Sequence, residues 1–96
     1  MKLMLLIYSG PTPQRIAALL EAHDAPGYTQ LAHARGAGST GRLEGTRAWP
    51  GEGTVIASVV PAGRVAELRG ALLDYKKNAA EGEHLHVAVM PMEDYF

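Results

Sequence analysis

Two apolar runs, Leu3–Tyr8 and Thr54–Val60, constrain the fold of this chain more than any other feature of its sequence. Each run has the length of a β-strand and ends at residues that interrupt strands, Ser9-Gly10-Pro11 and Pro61. A strand with one wet face alternates apolar and polar residues, but in these runs both sets of alternate positions carry large apolar residues. In the first run the two sets are Leu3, Leu5 and Ile7, and Met4, Leu6 and Tyr8. A sheet built on these strands therefore needs cover on both faces.

Two helices and two further strands are predicted around these runs. The first helix begins near Pro13 with Thr12 as its N-cap, and the second follows Pro61. Apolar stripes at helical spacing identify them: Ile16, Leu19, Leu20 and His23, then Val65, Leu68, Leu72 and Tyr75. The further strands are 28–35 and 84–90. The order β-α-β-β-α-β predicts a ferredoxin-like α+β fold, a four-stranded antiparallel sheet with two helices on one face, forming one domain over residues 1–96.

The second face of this sheet is predicted to be covered by other copies of the chain. A chain of 96 residues has a thin core, and its two helices suffice for one face only. Each large apolar side chain left wet would forgo about 1.5–3 kcal/mol. The alternative is that the long loop between the second and third strands folds back as a lid. Glycine-rich loops make poor lids, so self-association by sheet-to-sheet packing is favoured.

Charge and composition exclude several classes of function. The net charge is −1, with acidic and basic residues mixed, which argues against a nucleic-acid-binding face. Cysteine is absent, so a disulfide framework, a thiolate nucleophile and a Cys-based zinc site are excluded. The first apolar run is too short for a signal peptide or a membrane span, so we expect a cytoplasmic protein without membrane insertion.

Residues 36–53 are predicted to form a long glycine-rich loop. Closely spaced glycines in Arg35–Arg42 allow backbone N–H groups to turn towards an anion. Hydroxyl and guanidinium donors in and beyond this segment would add to such a site: Ser39, Thr40, Arg35, Arg42 and Arg47. No Walker A or Rossmann pattern is present. A loop that only connects two strands and binds no anion is an equal alternative.

The whole chain resembles the PII-type signalling superfamily. The resemblance rests on the Met-Lys-Leu start, the strand ending in Arg35-Gly36-Ala37-Gly38, the long loop after it, the strand ending in Val59-Val60-Pro61, and the turn with Glu81-Gly82 before the last strand. It implies a homotrimer with nucleotide sites in the clefts between subunits. The long loop would be the T-loop, which docks onto a protein target such as a membrane transporter.

The resemblance also implies which residues lie near a bound nucleotide. Those at the base of the long loop are Arg35, Gly36, Gly38, Ser39 and Thr40, and those of the second contributing loop are Gly82, Glu83 and His84. The surface for the protein target would include Arg42, Arg47 and Trp49; Trp49 is otherwise an anchor that packs the loop down.

Several departures from the family pattern alter the expected ligand. Ser39-Thr40 replaces the usual Arg-Gln, and Glu81-Gly82-Glu83-His84 replaces a Gly-Asp-Gly-Lys whose lysine meets the phosphates. The basic C-terminal extension is replaced by an acidic and aromatic segment. These changes lower the expected affinity for ATP and favour ADP, AMP or a small anion. The loop contains no tyrosine, which excludes tyrosine uridylylation.

Two histidines suggest an alternative function. His84 and His86 lie two residues apart on a predicted strand and share a face, which suits a divalent metal ion if His33 or Glu83 supplies a further ligand. Metal-binding proteins of the CutA type have a similar architecture. The competing interpretation is that these imidazoles are hydrogen-bonded in a subunit interface. A small ferredoxin-like enzyme is a third hypothesis, although no catalytic set can be assigned from spacing, and we expect a non-enzyme.

Overall fold

The computed structural model describes residues 1–38, 41–43 and 53–96 of the chain. Within these residues the elements, in chain order, are β1 (Lys2–Ser9), α1 (Pro13–Ala22), β2 (Thr29–Ala34), β3 (Gly36–Gly38), β4 (Gly41–Leu43), β5 (Gly53–Val60), α2 (Val65–Lys77) and β6 (His84–Pro91). A short 3₁₀ turn, Ala62–Arg64, leads into α2.

Four strands of the described chain form one antiparallel sheet in the order β2-β5-β1-β6. β1 is central and pairs along its whole length with both β5 and β6. This arrangement confirms the predicted ferredoxin-like topology. β2 is less regular than predicted: its register shifts between Leu31 and Ala34, and His33 has a positive φ of 61°. Such an irregularity is a β-bulge, which bends the strand.

The prediction of a continuous loop from residue 36 to residue 53 is wrong in one respect. β3 and β4 pair as an antiparallel hairpin, with Gly36 opposite Leu43 and Ala37 opposite Arg42. The sequence does not indicate this hairpin, because glycine and alanine are poor strand formers. Its two strands are held by backbone hydrogen bonds, which do not require particular side chains.

One face of the sheet is covered by both helices. The side chains of Met4, Leu6 and Tyr8 on β1 are completely buried there, and so are those of Ile56 and Val60 on β5. The helices add Ile16, Leu20, Leu68 and Leu72 to this layer, and β6 adds Leu85. Both predicted stripes therefore face the sheet, as their spacing indicated. His23 is the exception: it follows α1 as its C-cap, and its imidazole lies 3.3 Å from the Glu67 carboxylate.

The opposite face carries no cover from the described residues. We call it the open face; it consists of Leu3, Leu5, Ile7, Thr29, Leu31, Val55, Ala57, Val59, His84, His86, Ala88 and Met90. Leu31 is 62% exposed, Ile7 38% and Met90 37%. Nine of these twelve side chains are apolar, which is far more than a solvated sheet face carries.

Hydrogen bonds hold the connections at both ends of α1. Thr12 occupies the N-cap position as predicted, but its hydroxyl makes no capping hydrogen bond. After the helix, the Ser58 hydroxyl donates to the Gly27 carbonyl at 2.5 Å, which ties the returning chain to β5. Neither α1 nor α2 is long and apolar enough to cross a membrane, and the described chain has no other α-helix.

Candidate functional site

The base of the hairpin and the loop before β6 lie at the same end of the sheet. The register places Ala34 opposite Gly53, Gly53 opposite Ser9, and Ser9 opposite His84. One row of residues therefore crosses all four strands, from the residue before Arg35 to the end of the 78–84 loop. Three strand spacings separate its ends, about 14 Å at about 4.8 Å each.

The two predicted ligand-binding segments thus share one edge but are not in contact within the row. Arg35 and Gly36 are exposed at its β2 end, and a Cβ added at Gly36 would meet nothing within 4 Å. Gly38 and Arg42 belong to the hairpin backbone. Ser39, Thr40, Arg47 and Trp49, named from the sequence, lie outside the described residues.

The 78–84 loop is a tight turn between α2 and β6. Asn78 closes the helix, since its amide nitrogen donates to the Asp74 carbonyl at 2.9 Å. The Glu83 N–H donates to the Ala80 carbonyl at 3.1 Å, while the Ala80 N–H donates to Glu83 Oε2 at 2.7 Å. Gly82 adopts a positive φ of 89°, which L-residues rarely tolerate, so glycine is required there. The loop is therefore preformed.

Glu83 connects this loop to the core through two tyrosines. The hydroxyls of Tyr8 and Tyr75 each donate to Glu83 Oε1 at 2.6 Å. The Thr12 hydroxyl lies 3.4 Å from the same oxygen and 3.2 Å from the Tyr8 hydroxyl. We call Tyr8, Thr12, Tyr75 and Glu83 the tyrosine–carboxylate cluster. It joins the end of β1, the start of α1, the end of α2 and the loop before β6.

The cluster holds Glu83 as an anion. Hydrogen bonds from Tyr75, Tyr8 and the Ala80 N–H lower the pKa of its carboxyl to about 2. Burial and the adjacent carboxylate raise the pKa of Tyr75, because both disfavour the phenolate. The Arg15 guanidinium lies 5.6 Å from the centre of the Tyr75 ring, at cation–π distance. The negative charge of Glu83 is thus held inside the cluster.

Gly10 allows the cluster to close. A Cβ at this position would clash with the Tyr8 hydroxyl and would lie 2.7 Å from Tyr8 Cζ and 3.2 Å from Glu83 Cγ. The chain can therefore pass over the tyrosine ring only where no side chain is present.

Two cavities flank the cluster. The first, of about 150 Å³, is on the β6 side, and its basic lining residues are Lys76, His84 and His86. The second, of about 220 Å³, lies between α1 and the end of α2, where Arg15, Asp74 and Asn78 line it. Tyr75, Ala79 and Glu83 form the wall between them. The first cavity combines one lysine and two imidazoles, which can donate hydrogen bonds, next to the predicted loop, which suits an anionic group.

The metal hypothesis gains no third ligand from the described residues. His84 and His86 share the open face as predicted, but His33 is on β2, at the opposite edge of the sheet. The Glu83 carboxylate accepts hydrogen bonds on both of its oxygens. Among the residues that the structure describes, no three histidine or acidic side chains are grouped closely enough to hold a metal ion.

Sequence reasoning identifies Glu83 but misses its partners. In the sequence Tyr8 belongs to the apolar run of the first strand, Tyr75 to the apolar stripe of the second helix, and Thr12 is the predicted N-cap of the first helix. The available signal is that a tyrosine at a buried stripe position needs a partner for its hydroxyl. Two such tyrosines and one carboxylate in a turn would have suggested the cluster, although not the distances.

No protein-family model and no curated protein sequence matches this chain. Solved structures of PII-like proteins do match its fold. CPII, a nitrogen regulatory PII-like protein from Thiomonas intermedia bound to ADP, AMP and bicarbonate, superposes with a TM-score of 0.70 at 22% identity, over 93% of this chain and 84% of that chain. Its apo form gives 0.65 at 18% identity, over 93% and 87%. A protein from Thermus thermophilus described as a PII-like signalling protein gives 0.62 at 20% identity, over 93% and 84%. The chain therefore has the PII-like fold.

Proposed function

We propose that this protein is a PII-like regulator that binds an adenine nucleotide or a small anion at the edge where the hairpin base meets the 78–84 loop. One observation carries the proposal: the row from Ala34 to His84 brings both segments to one end of the sheet. The fold shared with a protein whose structure holds ADP, AMP and bicarbonate supports the choice of ligand.

The charges near this edge favour a ligand with few phosphates. Arg35 is exposed at one end of the row, and Lys76, His84 and His86 line the cavity at the other. Glu83 contributes no positive charge, and Glu81 is exposed in the same turn. A site with so few cations among the described residues stabilises a triphosphate poorly, so ADP, AMP or bicarbonate is the expected ligand.

The open face supports assembly of the regulator from several copies. A flat apolar face of this size is typical of an interface rather than of a solvated surface. We propose a homotrimer, as the resemblance implies, with the ligand edge of one copy completed by its neighbour. A regulator of this kind acts without catalysis in the cytoplasm, and its target would dock on the long loop near Arg42, Arg47 and Trp49. A membrane transporter is one such target.

Calorimetric titration with ADP, AMP, ATP and bicarbonate tests the binding step, on protein whose copy number has been measured. The expected result is saturable heat with ADP or AMP and weaker heat with ATP. Arg35→Ala should weaken binding about tenfold, since a charge-assisted hydrogen bond contributes about 1.5–3 kcal/mol. Lys77→Ala is the matched control, because it removes a like charge at an exposed position outside both flanking cavities. Absence of heat with every ligand in trimeric protein would refute the proposal.

A further inference from the structure

A third cavity, of about 170 Å³, lies on the covered side of the sheet at its β6 edge. We call it the α2–β6 groove. One wall is a stripe of α2 at helical spacing, namely Arg69, Leu72, Leu73 and Lys76, and the other is Val87 and Val89 of β6. Leu73 is 46% exposed and Val89 40% exposed, so the apolar surface inside the groove, which we call its floor, is open to solvent. β6 is an edge strand, and its outer side has no partner strand in the described chain.

The groove carries two positive charges that the described chain does not neutralise. Among residues 1–38, 41–43 and 53–96, no carboxylate lies within 4.0 Å of Arg69 or Lys76. The two residues are seven apart on α2, so the helix separates them by about 10 Å along its axis. An apolar floor between two cations suits an extended segment that combines carboxylates with large apolar side chains.

The chain itself contains such a segment directly after β6. Residues 92–96 read Met-Glu-Asp-Tyr-Phe, and we call them the acidic–aromatic tail. The Tyr95 side chain is 66% exposed. Within the described residues, the Asp94 carboxylate accepts only a local hydrogen bond, from the Tyr95 N–H at 2.8 Å. An exposed aromatic next to two carboxylates is an unusual composition for a solvated segment and is typical of a contact surface.

We propose that the acidic–aromatic tail of a second copy of this chain occupies the α2–β6 groove. Charge complementarity carries the choice of occupant: Glu93 and Asp94 supply carboxylates for the cations at the rim of the groove, and the rings of Tyr95 and Phe96 match its apolar floor. Four extended residues span about 13 Å, so residues 93–96 are long enough to follow the groove over the distance between its two cations. The inference rests on the proposed self-association of the chain and does not depend on the nucleotide site.

A second copy fits this role better than the chain's own tail. β6 ends at Pro91 beside the groove, so the same chain could enter it only by reversing direction within Met92 and Glu93. A second copy can enter the groove without such a reversal.

Engineered cysteines test the inference, since the natural chain has none. The variant Leu73→Cys/Tyr95→Cys is oxidised mildly and examined on non-reducing gels and by mass spectrometry. Disulfides between chains are expected to form about tenfold faster than in Gln14→Cys/Tyr95→Cys, whose first site is exposed on α1. Arg69→Cys, at the exposed rim of the groove, replaces Leu73→Cys if that variant does not fold.

Two outcomes would overturn the inference. A disulfide formed within one chain would show that the tail folds back on its own groove, and crosslinking no faster than in the control would show that the tail does not enter it. A charge exchange provides the second test. Arg69→Glu, at a residue that lines the groove but neither cavity beside the tyrosine–carboxylate cluster, should lower the rate of crosslinking, and Asp94→Lys should restore it, a rescue that a general loss of stability would not give.

The result remains distinct from that of the nucleotide proposal. Trimeric protein that binds ADP but shows no interchain disulfide would contradict the tail assignment alone. Protein that forms the disulfide but gives no heat with any ligand would contradict the proposed ligand site alone.

Discussion

The two faces of the four-stranded sheet are built from the same strands, yet the described chain covers only one of them. On β1, Met4, Leu6 and Tyr8 are completely buried beneath the helices, whereas Ile7 on the other face is 38% exposed. The two sets of positions are equally apolar in sequence. The difference lies in what the chain supplies to each face: two amphipathic helices on one side and nothing described on the other.

This contrast separates two kinds of information in the sequence. Apolar residues at alternate positions of a strand indicate that this face of the sheet needs cover. Apolar stripes on the helices indicate that the chain itself provides the cover. On the open face the first signal exists without the second among the described residues. The open face is therefore the observation that supports the proposed self-association.

The largest effect is expected on the covered face. Leu6→Ala should lower the free energy of unfolding by about 3–5 kcal/mol, because it leaves a cavity in a fully buried layer. Urea-induced unfolding followed by circular dichroism measures this. Leu5→Ala is the matched control on the open face, where the side chain is only half-buried in the single chain. Its effect should depend on protein concentration, and equal losses at every concentration would contradict the distinction between the faces.

A charge on the open face should break assembly while leaving the fold intact. Leu5 lies at the centre of this face, opposite Ala57 and Ala88. Leu5→Glu should weaken association by about 2–3 kcal/mol or more, because an interface would bury an unpaired carboxylate. Analytical ultracentrifugation at micromolar concentration should then show single chains. Gln14→Glu adds the same charge at an exposed position of α1 and should leave the copy number unchanged. Wild-type protein that is already a stable single chain would contradict the role of the open face.

The tyrosine–carboxylate cluster gives a smaller effect with a defined pH dependence. Glu83→Gln should cost about 1–2 kcal/mol at neutral pH, since an amide offers one acceptor oxygen where the carboxylate uses two. The folded-state pKa of about 2 is below the ordinary 4.5, so the contribution of Glu83 is full above pH 4.5 and disappears towards pH 2. The difference between wild type and variant should shrink over this window. Glu81→Gln, exposed in the same turn, is the control.

The sequence sufficed for the topology of the main sheet and for both helices. Those elements follow from short-range periodicity, and their apolar stripes face the sheet as predicted. The β3–β4 hairpin was missed because Gly36 and Ala37 carry no strand signal, and backbone pairing leaves no pattern in the side chains. The bulge at His33 was missed for a similar reason, since a change of register is a property of two strands together.

The candidate site was predictable only in part. That Arg35 and His84 lie at one end of the sheet follows from the topology, because both border the same row. That Glu83 turns towards Tyr8 and Tyr75 does not follow, because three residues distant in sequence have to converge. The proposed ligand contacts of Arg35, Gly36, Gly38, Gly82, Glu83 and His84 remain predictions, as do those of Ser39 and Thr40.

The smallest effect is expected at a buried serine hydroxyl on the covered face that holds the loop before β2. Ser58 is 1% exposed and donates to the Gly27 carbonyl at 2.5 Å. Ser58→Ala removes one hydrogen bond, but Gly27 is exposed and its carbonyl can turn to water, so the loss should be about 1 kcal/mol. Thr29→Ala, an exposed hydroxyl on the open face, should change the free energy of unfolding by less than about 0.5 kcal/mol. Urea unfolding of both variants measures the difference. If Ser58→Ala instead stabilised the protein, an apolar side chain would be preferred at this position of the covered face. The Ser58 hydroxyl would then position the loop and would not stabilise the core.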